Sequence, residues 1–285
     1  VVIRILDRGG LVLDLGELGL FGENRNKFER MITRSNGMIL VTGPTGSGKT
    51  TTLYAALEKL NTSDRKIITI EDPVEYQLEG VNQIQVKPQI GLTFADGLRN
   101  IVRQDPDIIL VGEIRDRETA EIAIHAALTG HLVFSTLHTN DAASAITRLI
   151  EMGLTDYLIS STLIGVVAQR LVRKICRQCK KAVAPNELEI KELKYLAGDV
   201  EGIRIYRGEG CKECASTGYW GRIAVYEVLL IDDSIRGLIL KNPEANIIKS
   251  AGIKNGMKTL KEEGLRMVME GITSMDELLR VIQGD

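Results

Sequence analysis

This 285-residue sequence has few aromatic residues, no large excess of charge and no long apolar run. No stretch approaches about 18 consecutive apolar residues, which argues against a transmembrane helix, and no signal peptide opens the chain. Aromatic residues make up 4% of the chain, the net charge is −2, and the basic residues form no long run. These absences argue against a protein that grips nucleic acid through a basic, aromatic surface.

The remaining composition, 44% hydrophobic and 26% charged, is typical of a globular protein. The length predicts about two domains and suffices to bury a large core. The chain opens on Val1-Val2-Ile3-Arg4-Ile5-Leu6 without a methionine, as if a strand were entered midway. We therefore expect a piece of a longer protein, with a strand and a glycine-rich linker over residues 1–20.

The stretch Gly43-Pro44-Thr45-Gly46-Ser47-Gly48-Lys49-Thr50 fits the template G-x-x-x-x-G-K-[ST] at every fixed position. An apolar run over 38–42 predicts a buried strand before it, and leucines at helical spacing predict a helix over 51–60. Glycines let such a loop turn its N–H groups inward, and the helix N-terminus favours an anion. Lys49 would reach the β- and γ-phosphates and Thr50 would bind Mg²⁺; the alternative is a chance glycine-rich turn. The residues predicted to bind nucleotide are Gly43, Pro44, Thr45, Gly46, Ser47, Gly48, Lys49, Thr50 and Thr51.

Acidic residues follow two further predicted strands. The strand over 66–70 runs into Glu71-Asp72-Pro73-Val74-Glu75, and the strand over 108–111 ends in Gly112-Glu113. Ligands of open α/β sheets bind at the carboxyl ends of strands, so we expect these carboxylates near the phosphate-binding loop. Glu113 could hold Mg²⁺ through water or polarise the attacking water. A solvated acidic loop and a surface glutamate are the alternatives.

The remaining candidates are basic residues and histidines. A helix predicted over 94–104 carries Arg99 and Arg103, and Arg115 follows Glu113. The three histidines lie close together along the chain, at His125, His131 and His138. A polar strand end can sense a γ-phosphate, whereas a lone histidine is more often structural, which is how we interpret His125.

The pattern as a whole alternates buried strands with helices, which predicts a mainly parallel sheet flanked by helices. Residues 155–172 are largely apolar and are predicted as a helix or helix pair. A further strand is expected over 223–229, and residues 232–285 as a small helical bundle.

Four cysteines form two C-x-x-C pairs, 31 residues apart: Cys176, Cys179, Cys211 and Cys214. Two such turns can close a tetrahedral zinc shell, and four thiolates leave no open position, so the site would be structural. Disulfides or an iron–sulfur cluster are the alternatives. A nucleotide-binding core favours a reducing compartment and therefore a metal.

Together these motifs resemble those of the secretion ATPase superfamily over nearly the whole chain. Residues 43–50 are similar to the Walker A motif of that family, and residues 70–76 to its aspartate box. Residues 108–116 are similar to its Walker B motif, which carries Gly-Glu in place of Asp, and residues 129–140 to its histidine box. The cysteine quartet, followed by Thr217-Gly218-Tyr219 and Gly221-Arg222, narrows the resemblance to type II secretion ATPases and type IV pilus assembly ATPases. In that family an upstream domain packs on the nucleotide; only its tail, around Arg4, is expected here.

The resemblance implies an α/β fold with a RecA-like P-loop NTPase core over 21–172. It also implies a small tetracysteine zinc module over 173–222 and a C-terminal helical subdomain over 223–285, after the tail over 1–20. The activity implied is ATP hydrolysis with Mg²⁺ and a structural Zn²⁺. A homohexamer of the full-length protein would act from the cytoplasm on an inner-membrane platform protein, without contacting nucleic acid, to assemble a pilus or pseudopilus.

The resemblance also implies roles for individual residues. Lys49, Glu75 and Glu113 would be catalytic, with Glu75 orienting or deprotonating the attacking water; Glu71 and Asp72 are the alternatives for that role. Thr50, Glu113 and Glu71 would form the Mg²⁺ site, and His131 and His138 would be sensors. Arg99, Arg103 and Arg115 would stabilise transition-state charge or span a subunit boundary.

Two other functions remain open at this stage. One is a RecA-like nucleic-acid translocase whose zinc module grips DNA, against which the near-neutral charge argues. The other is a non-catalytic nucleotide-binding scaffold, against which the intact Lys49, Thr50, Glu75 and Glu113 argue.

Overall fold

A computed structural model describes residues 14–197 and 202–282 of the chain. Most of the predicted N-terminal strand and linker, including Arg4, lies outside these residues. The strands are β1 (Gly37–Thr42), β2 (Ile67–Glu71), β3 (Asn82–Gln85), β4 (Ile108–Val111), β5 (Leu132–Leu137), β6 (Leu163–Ile175), β7 (Lys180–Val183), β8 (Ile205–Gly208) and β9 (Tyr219–Leu230). The helices are α1 (Gly22–Ile32), α2 (Lys49–Leu60), α3 (Phe94–Ile101), α4 (Arg117–Leu128), α5 (Ala142–Glu151), α6 (Asp156–Thr162), α7 (Glu187–Ala197), α8 (Asp233–Lys241), α9 (Ala245–Lys254), α10 (Leu260–Met269) and α11 (Met275–Ile282).

A mostly parallel sheet organises the molecule, in the order β3-β2-β4-β5-β1-β6-β9. Every neighbouring pair is parallel except β6 and β9, which are antiparallel. Every residue of β1, β2, β4 and β5 is buried, because apolar clusters cover both faces of the sheet. The prediction of an α/β fold with a mainly parallel sheet is confirmed.

The prediction of a helix or helix pair over 155–172 is wrong for its second half. Helix α6 ends at Thr162, and the chain then extends as β6, which lies between β1 and β9. Most of β6 is buried, so it carries no clean alternation of polar and apolar residues. Periodicity alone does not distinguish such an apolar run from a buried helix.

The predicted C-terminal subdomain contacts both the predicted ATPase core and the tetracysteine region (173–222). Strand β9, whose residues 223–230 fall within the predicted C-terminal subdomain, is hydrogen-bonded along β6 in the main sheet. Leu193 and Ile205, from the tetracysteine region, share a core with Leu265, Met275 and Leu278 of α10 and α11. Across residues 14–197 and 202–282, none of the helices has both the length and the apolar character that crossing a bilayer requires.

Candidate functional site

The turn between β1 and α2 forms one wall of a cavity of about 710 Å³ at the carboxyl edge of the sheet. Gly46 and Gly48 have φ angles of 79° and 88°, a region that side chains with a Cβ rarely adopt. The glycines at these positions therefore allow the turn to lead directly into α2. Of the residues predicted to bind nucleotide, Thr45 to Thr51 all line the cavity, whereas Gly43 and Pro44 form the start of the turn and do not line it.

The Lys49 side chain folds back over this turn. Its Nζ donates to the carbonyl oxygens of Gly43, at 2.8 Å, and Pro44, at 3.1 Å. Burial lowers the pKa of Lys49, with the nearby Glu113 opposing that shift and Arg170 adding to it. The ammonium is thus held at the loop by neutral carbonyls, which an anion entering the cavity could replace as its partner.

Glu113 follows β4 after Gly112 and reaches the same cavity. Its Oε2 accepts a hydrogen bond from Arg115 Nε at 2.7 Å, and its Oε1 lies 2.9 Å from His138 Nε2. Gly112 lies close under β2, where an added Cβ would stand 3.2 Å from Glu71 Cα. Because Gly112 has no side chain, β4 can continue beside the end of β2, and the Glu113 carboxylate can face the loop.

The two glutamates of the acidic segment have different surroundings. Glu71 is 3% exposed, and its carboxylate accepts hydrogen bonds from Tyr54, Thr69 and Gln83. Glu75 is partly exposed and lines the cavity; among the described residues its carboxylate has no hydrogen bond or ion pair. Glu75 is therefore available to hold a water molecule, whereas Glu71 would have to give up hydrogen bonds to bind a metal ion.

The structure separates the two histidines that were predicted as sensors. His138 lines the cavity beside Glu113. His131 precedes β5 at the opposite edge of the sheet, where its Nδ1 lies 2.8 Å from the Ala126 carbonyl oxygen. Six strand residues rising about 3.3 Å each separate the two, so within one chain only His138 is placed to sense a ligand in the cavity.

The predicted arginines are separated in the same way. Arg115 lines the cavity. Arg99 is exposed and pairs with Asp96 and Glu118, and Arg103 is exposed in the short 3-10 turn that follows α3; neither lines the cavity. Any role for these two arginines would require a different surface from that of this cavity.

Sequence reasoning missed several residues that complete the cavity wall: Leu53, Tyr76, Phe94, Leu110, Thr136, Leu171 and Arg222. Arg222 adds a cation from β9, far from the loop in sequence. The only sequence signal for Arg222 was its place in the Gly221-Arg222 dipeptide, which follows the second cysteine pair. The dipeptide by itself indicates no role.

The four cysteines lie together as predicted. Their sulfurs are all within 4.8 Å of one another, with Cys176–Cys211 at 3.8 Å and Cys179–Cys214 at 3.9 Å. A tetrahedral ion with bonds of about 2.3 Å to sulfur holds its ligands about 3.8 Å apart, whereas a disulfide needs about 2.05 Å. The four sulfurs therefore have the spacing of a metal-binding set.

Backbone groups favour a thiolate within this set. Burial acts to raise the pKa of Cys214, but hydrogen bonds from the backbone N–H groups of Cys211 and Gly218, together with those from the Cys211 and Cys179 side chains, outweigh burial and lower that pKa to about 6. Burial raises the pKa of Cys179 to about 11, so the thiolate is favoured at Cys214. A thiolate is the form that binds a metal.

Comparison with known proteins places this geometry in context. Residues 1–280 match the family model described as Type II/IV secretion system protein. A type II secretion system protein E from Xanthomonas campestris is 52% identical, over 99% of this chain and 50% of that protein. A type IV pilus assembly ATPase PilB from Thermus thermophilus is 50% identical, over 98% of this chain and 31% of that protein. The chain thus spans about half or less of the length of these curated relatives.

A solved structure gives the same picture of the fold. The crystal structure of the pilus retraction motor PilT with bound ADP superposes with a TM-score of 0.72 at 31% identity. The match covers 96% of this chain and 68% of that one. The likeness therefore extends over nearly all of the chain.

Proposed function

The chain belongs to the Type II/IV secretion system protein family, and from that premise we propose that it hydrolyses ATP with Mg²⁺ to drive type II secretion or type IV pilus assembly. The observation that carries this proposal is the meeting of Lys49, Glu75 and Glu113 on one cavity, at the carboxyl edge of a mostly parallel sheet. Phosphoryl transfer needs little covalent help from a protein, so a site that positions phosphates and stabilises charge is sufficient.

We assign the following roles in the reaction. Lys49 and the loop N–H groups hold the phosphates, and the Thr50 hydroxyl binds Mg²⁺. Glu113 supports the metal ion and its water ligands, and Glu75 orients or deprotonates the attacking water. The hydrogen bonds around Glu71 favour a structural role for it, at the end of β2.

Arg115 and His138 would complete the catalytic site. Both contact the Glu113 carboxylate, so a change in charge at the metal would be felt by both side chains. His138 is therefore our candidate for the γ-phosphate sensor. Among the described residues, Arg115 and Arg222 are the arginines that line this cavity, where they could stabilise transition-state charge together with Lys49.

For the four cysteines we propose a structural Zn²⁺. Their spacing suits a closed tetrahedral shell, which leaves no position at which water could be activated. An ion there would tie the turn after β6 to the turn before β9. It would thereby stabilise the tetracysteine region, in which few large residues are buried among those that the structure describes.

We further propose that the core is a RecA-like P-loop NTPase domain and that the whole protein works as a homohexamer. The names of the relatives support a part in secretion or pilus assembly. The partner we propose is an inner-membrane platform protein, reached from the cytoplasmic side. ATP-driven rotation of domains would then push a pilus or pseudopilus. Direct binding to nucleic acid is not part of this proposal.

The test is the substitution Lys49→Ala, with Lys59→Ala as a matched control at the other end of α2. Lys59 is exposed and pairs with Glu29, so its loss should leave the cavity unchanged. We expect Lys49→Ala to weaken binding of a fluorescent ADP analogue and to reduce ATP turnover by about two to three orders of magnitude. If Lys49→Ala binds the ADP analogue as tightly as the unaltered chain and turns over ATP at a similar rate, the proposal is overturned.

A further inference from the structure

A buried glutamine of β6 lies directly under the phosphate-binding loop. Residues Val41 and Thr42 of β1 pair with Val167 and Ala168 of β6, so the next residue, Gln169, lies where β1 has ended and the loop has begun. An added Cβ at Gly43 would stand 2.4 Å from the Gln169 carbonyl oxygen, and one at Gly48 would stand 2.9 Å from its Nε2. The loop thus rests on this residue at both of its ends.

The Gln169 side chain joins the loop to the helix that follows it. Its Nε2 donates to the Ser47 carbonyl oxygen at 2.8 Å, and its Oε1 accepts from Thr52 Oγ1 at 2.9 Å. The side chain is 1% exposed, so neither amide group has water as a substitute partner. Because the Ser47 carbonyl can only accept, the amide nitrogen must face the loop and the amide oxygen must face Thr52.

A third residue fixes the direction of the remaining hydrogen bond. Tyr226 lies opposite Gln169 in the β6–β9 register, and its hydroxyl lies 2.8 Å from Thr52 Oγ1. Since Thr52 gives its only proton to Gln169, Tyr226 must donate to Thr52. Burial raises the pKa of Tyr226, so its proton is retained. The result is a one-way chain from Tyr226 through Thr52 and Gln169 to the loop.

This series of hydrogen bonds affects phosphate binding through the orientation of one peptide unit. The bond between Ser47 and Gly48 is trans, so its carbonyl and N–H groups point in opposite directions. Because Gln169 holds the Ser47 carbonyl toward β6, the Gly48 N–H is turned toward the cavity that Gly48 lines. A free Ser47 carbonyl could instead rotate into the cavity and repel a phosphate.

We propose that Gln169 is a positioning residue that orients the Ser47–Gly48 peptide for phosphate binding while touching no nucleotide itself. The inference rests on the proposed function, since it assumes that this loop binds the phosphates. On this inference, the conformation of the loop depends on residues of β6 and β9 as well as on the loop's own sequence. Thr52 and Tyr226 act in the same series of hydrogen bonds, one and two hydrogen bonds further back from Gln169.

Two substitutions at Gln169 test the proposal. Gln169→Glu keeps the size and the acceptor for Thr52 but sets an oxygen against the Ser47 carbonyl, and Gln169→Met removes both hydrogen bonds at similar length. Thr273→Val is the matched control, because the buried Thr273 hydroxyl donates to the Arg173 carbonyl oxygen at 2.8 Å, away from the cavity. Thr52→Ser is the conservative variant, because it keeps the hydroxyl that donates to Gln169.

Two measurements are made on each variant of the chain: the dissociation constant of a fluorescent ADP analogue with Mg²⁺, and hydrogen exchange of residues 46–50 without nucleotide. We expect both Gln169 variants to weaken ADP binding about tenfold, the order expected when a buried carbonyl loses its donor. Exchange at the loop should rise in both. Thr52→Ser and Thr273→Val should leave both quantities as in the unaltered chain, whatever Thr273→Val does to thermal stability.

The two measurements separate this inference from the proposed function. If the unaltered chain binds no ADP while loop exchange still rises in the Gln169 variants, the proposed function fails and the positioning of the peptide stands. If ADP binds with unchanged affinity and loop exchange does not rise in either Gln169 variant, Gln169 is an ordinary core residue and the inference is overturned.

Discussion

Replacing Glu277 by glutamine should destabilise the junction between β6 and α11 by removing a buried charge from between two arginines. The Glu277 side chain is fully buried and accepts hydrogen bonds from the Arg173 guanidinium and backbone N–H and from the Arg280 guanidinium. Burial acts to raise its pKa, but the hydrogen bonds from Arg280 and Arg173 outweigh burial and lower that pKa to about 2.

The magnitude follows from the displaced titration. A pKa of about 2, against an ordinary 4.5, corresponds to about 3 kcal/mol of folding free energy. Because the folded-state pKa is the lower one, this stability is fully present above pH 4.5 and is lost as the pH falls toward 2. Glu277→Gln should therefore lower the free energy of unfolding by about 3 kcal/mol at pH 7, and the difference from the unaltered chain should shrink below pH 4.5.

The chain carries its own probe for this measurement. Its only tryptophan, Trp220, follows Tyr219, whose ring stacks against Arg173 at 4.1 Å. Denaturant unfolding followed by Trp220 fluorescence between pH 7 and 3 would report on this junction. Glu151→Gln is the control, since it breaks an exposed pair with Arg148 and should cost less than about 1 kcal/mol. A difference between Glu277→Gln and the unaltered chain that stays constant down to pH 3, or that is absent at pH 7, would refute the reasoning.

Three further outcomes are expected. Glu75→Gln should leave ADP affinity intact and slow phosphate release by about two orders of magnitude; normal turnover here, with loss in Glu71→Gln, would reassign the water-positioning role. Chelation, or Cys176→Ser, should increase hydrogen exchange over 176–222 but spare α2, because the two regions lie in separate cores; equal loss of protection in α2 would contradict this. This chain alone should turn over ATP slowly or not at all and self-associate weakly, compared with a longer chain that carries the domain expected upstream, when both are examined by phosphate release and light scattering; a stable hexamer of this chain alone would be the contrary result.

The site was predictable from the sequence where its parts are local. The phosphate-binding loop is one continuous stretch, and its glycines, Lys49 and Thr50 take their places from the strand before it and the helix after it. Glu75 and Glu113 were predictable for a related reason. Each follows a buried strand, and the carboxyl ends of parallel strands meet at one edge of a sheet. The C-x-x-C spacing likewise brings two thiols together within one turn.

Other residues were placed by the tertiary structure alone. The run over 163–172 is apolar enough to suit a helix or a strand, and its extended form follows from the position of β6 between β1 and β9, where both faces are covered. That register, absent from any local pattern, sets Gln169 under the loop and Tyr226 opposite it. His131 and His138 are close in the sequence yet flank opposite ends of β5, because each residue of an extended strand lies about 3.3 Å further along than the one before it. Residue spacing predicts contacts within a turn or a helix, but the contacts between residues more than a hundred positions apart depend on which strands pair and in which register, and those pairings are decided by the burial of the whole sheet.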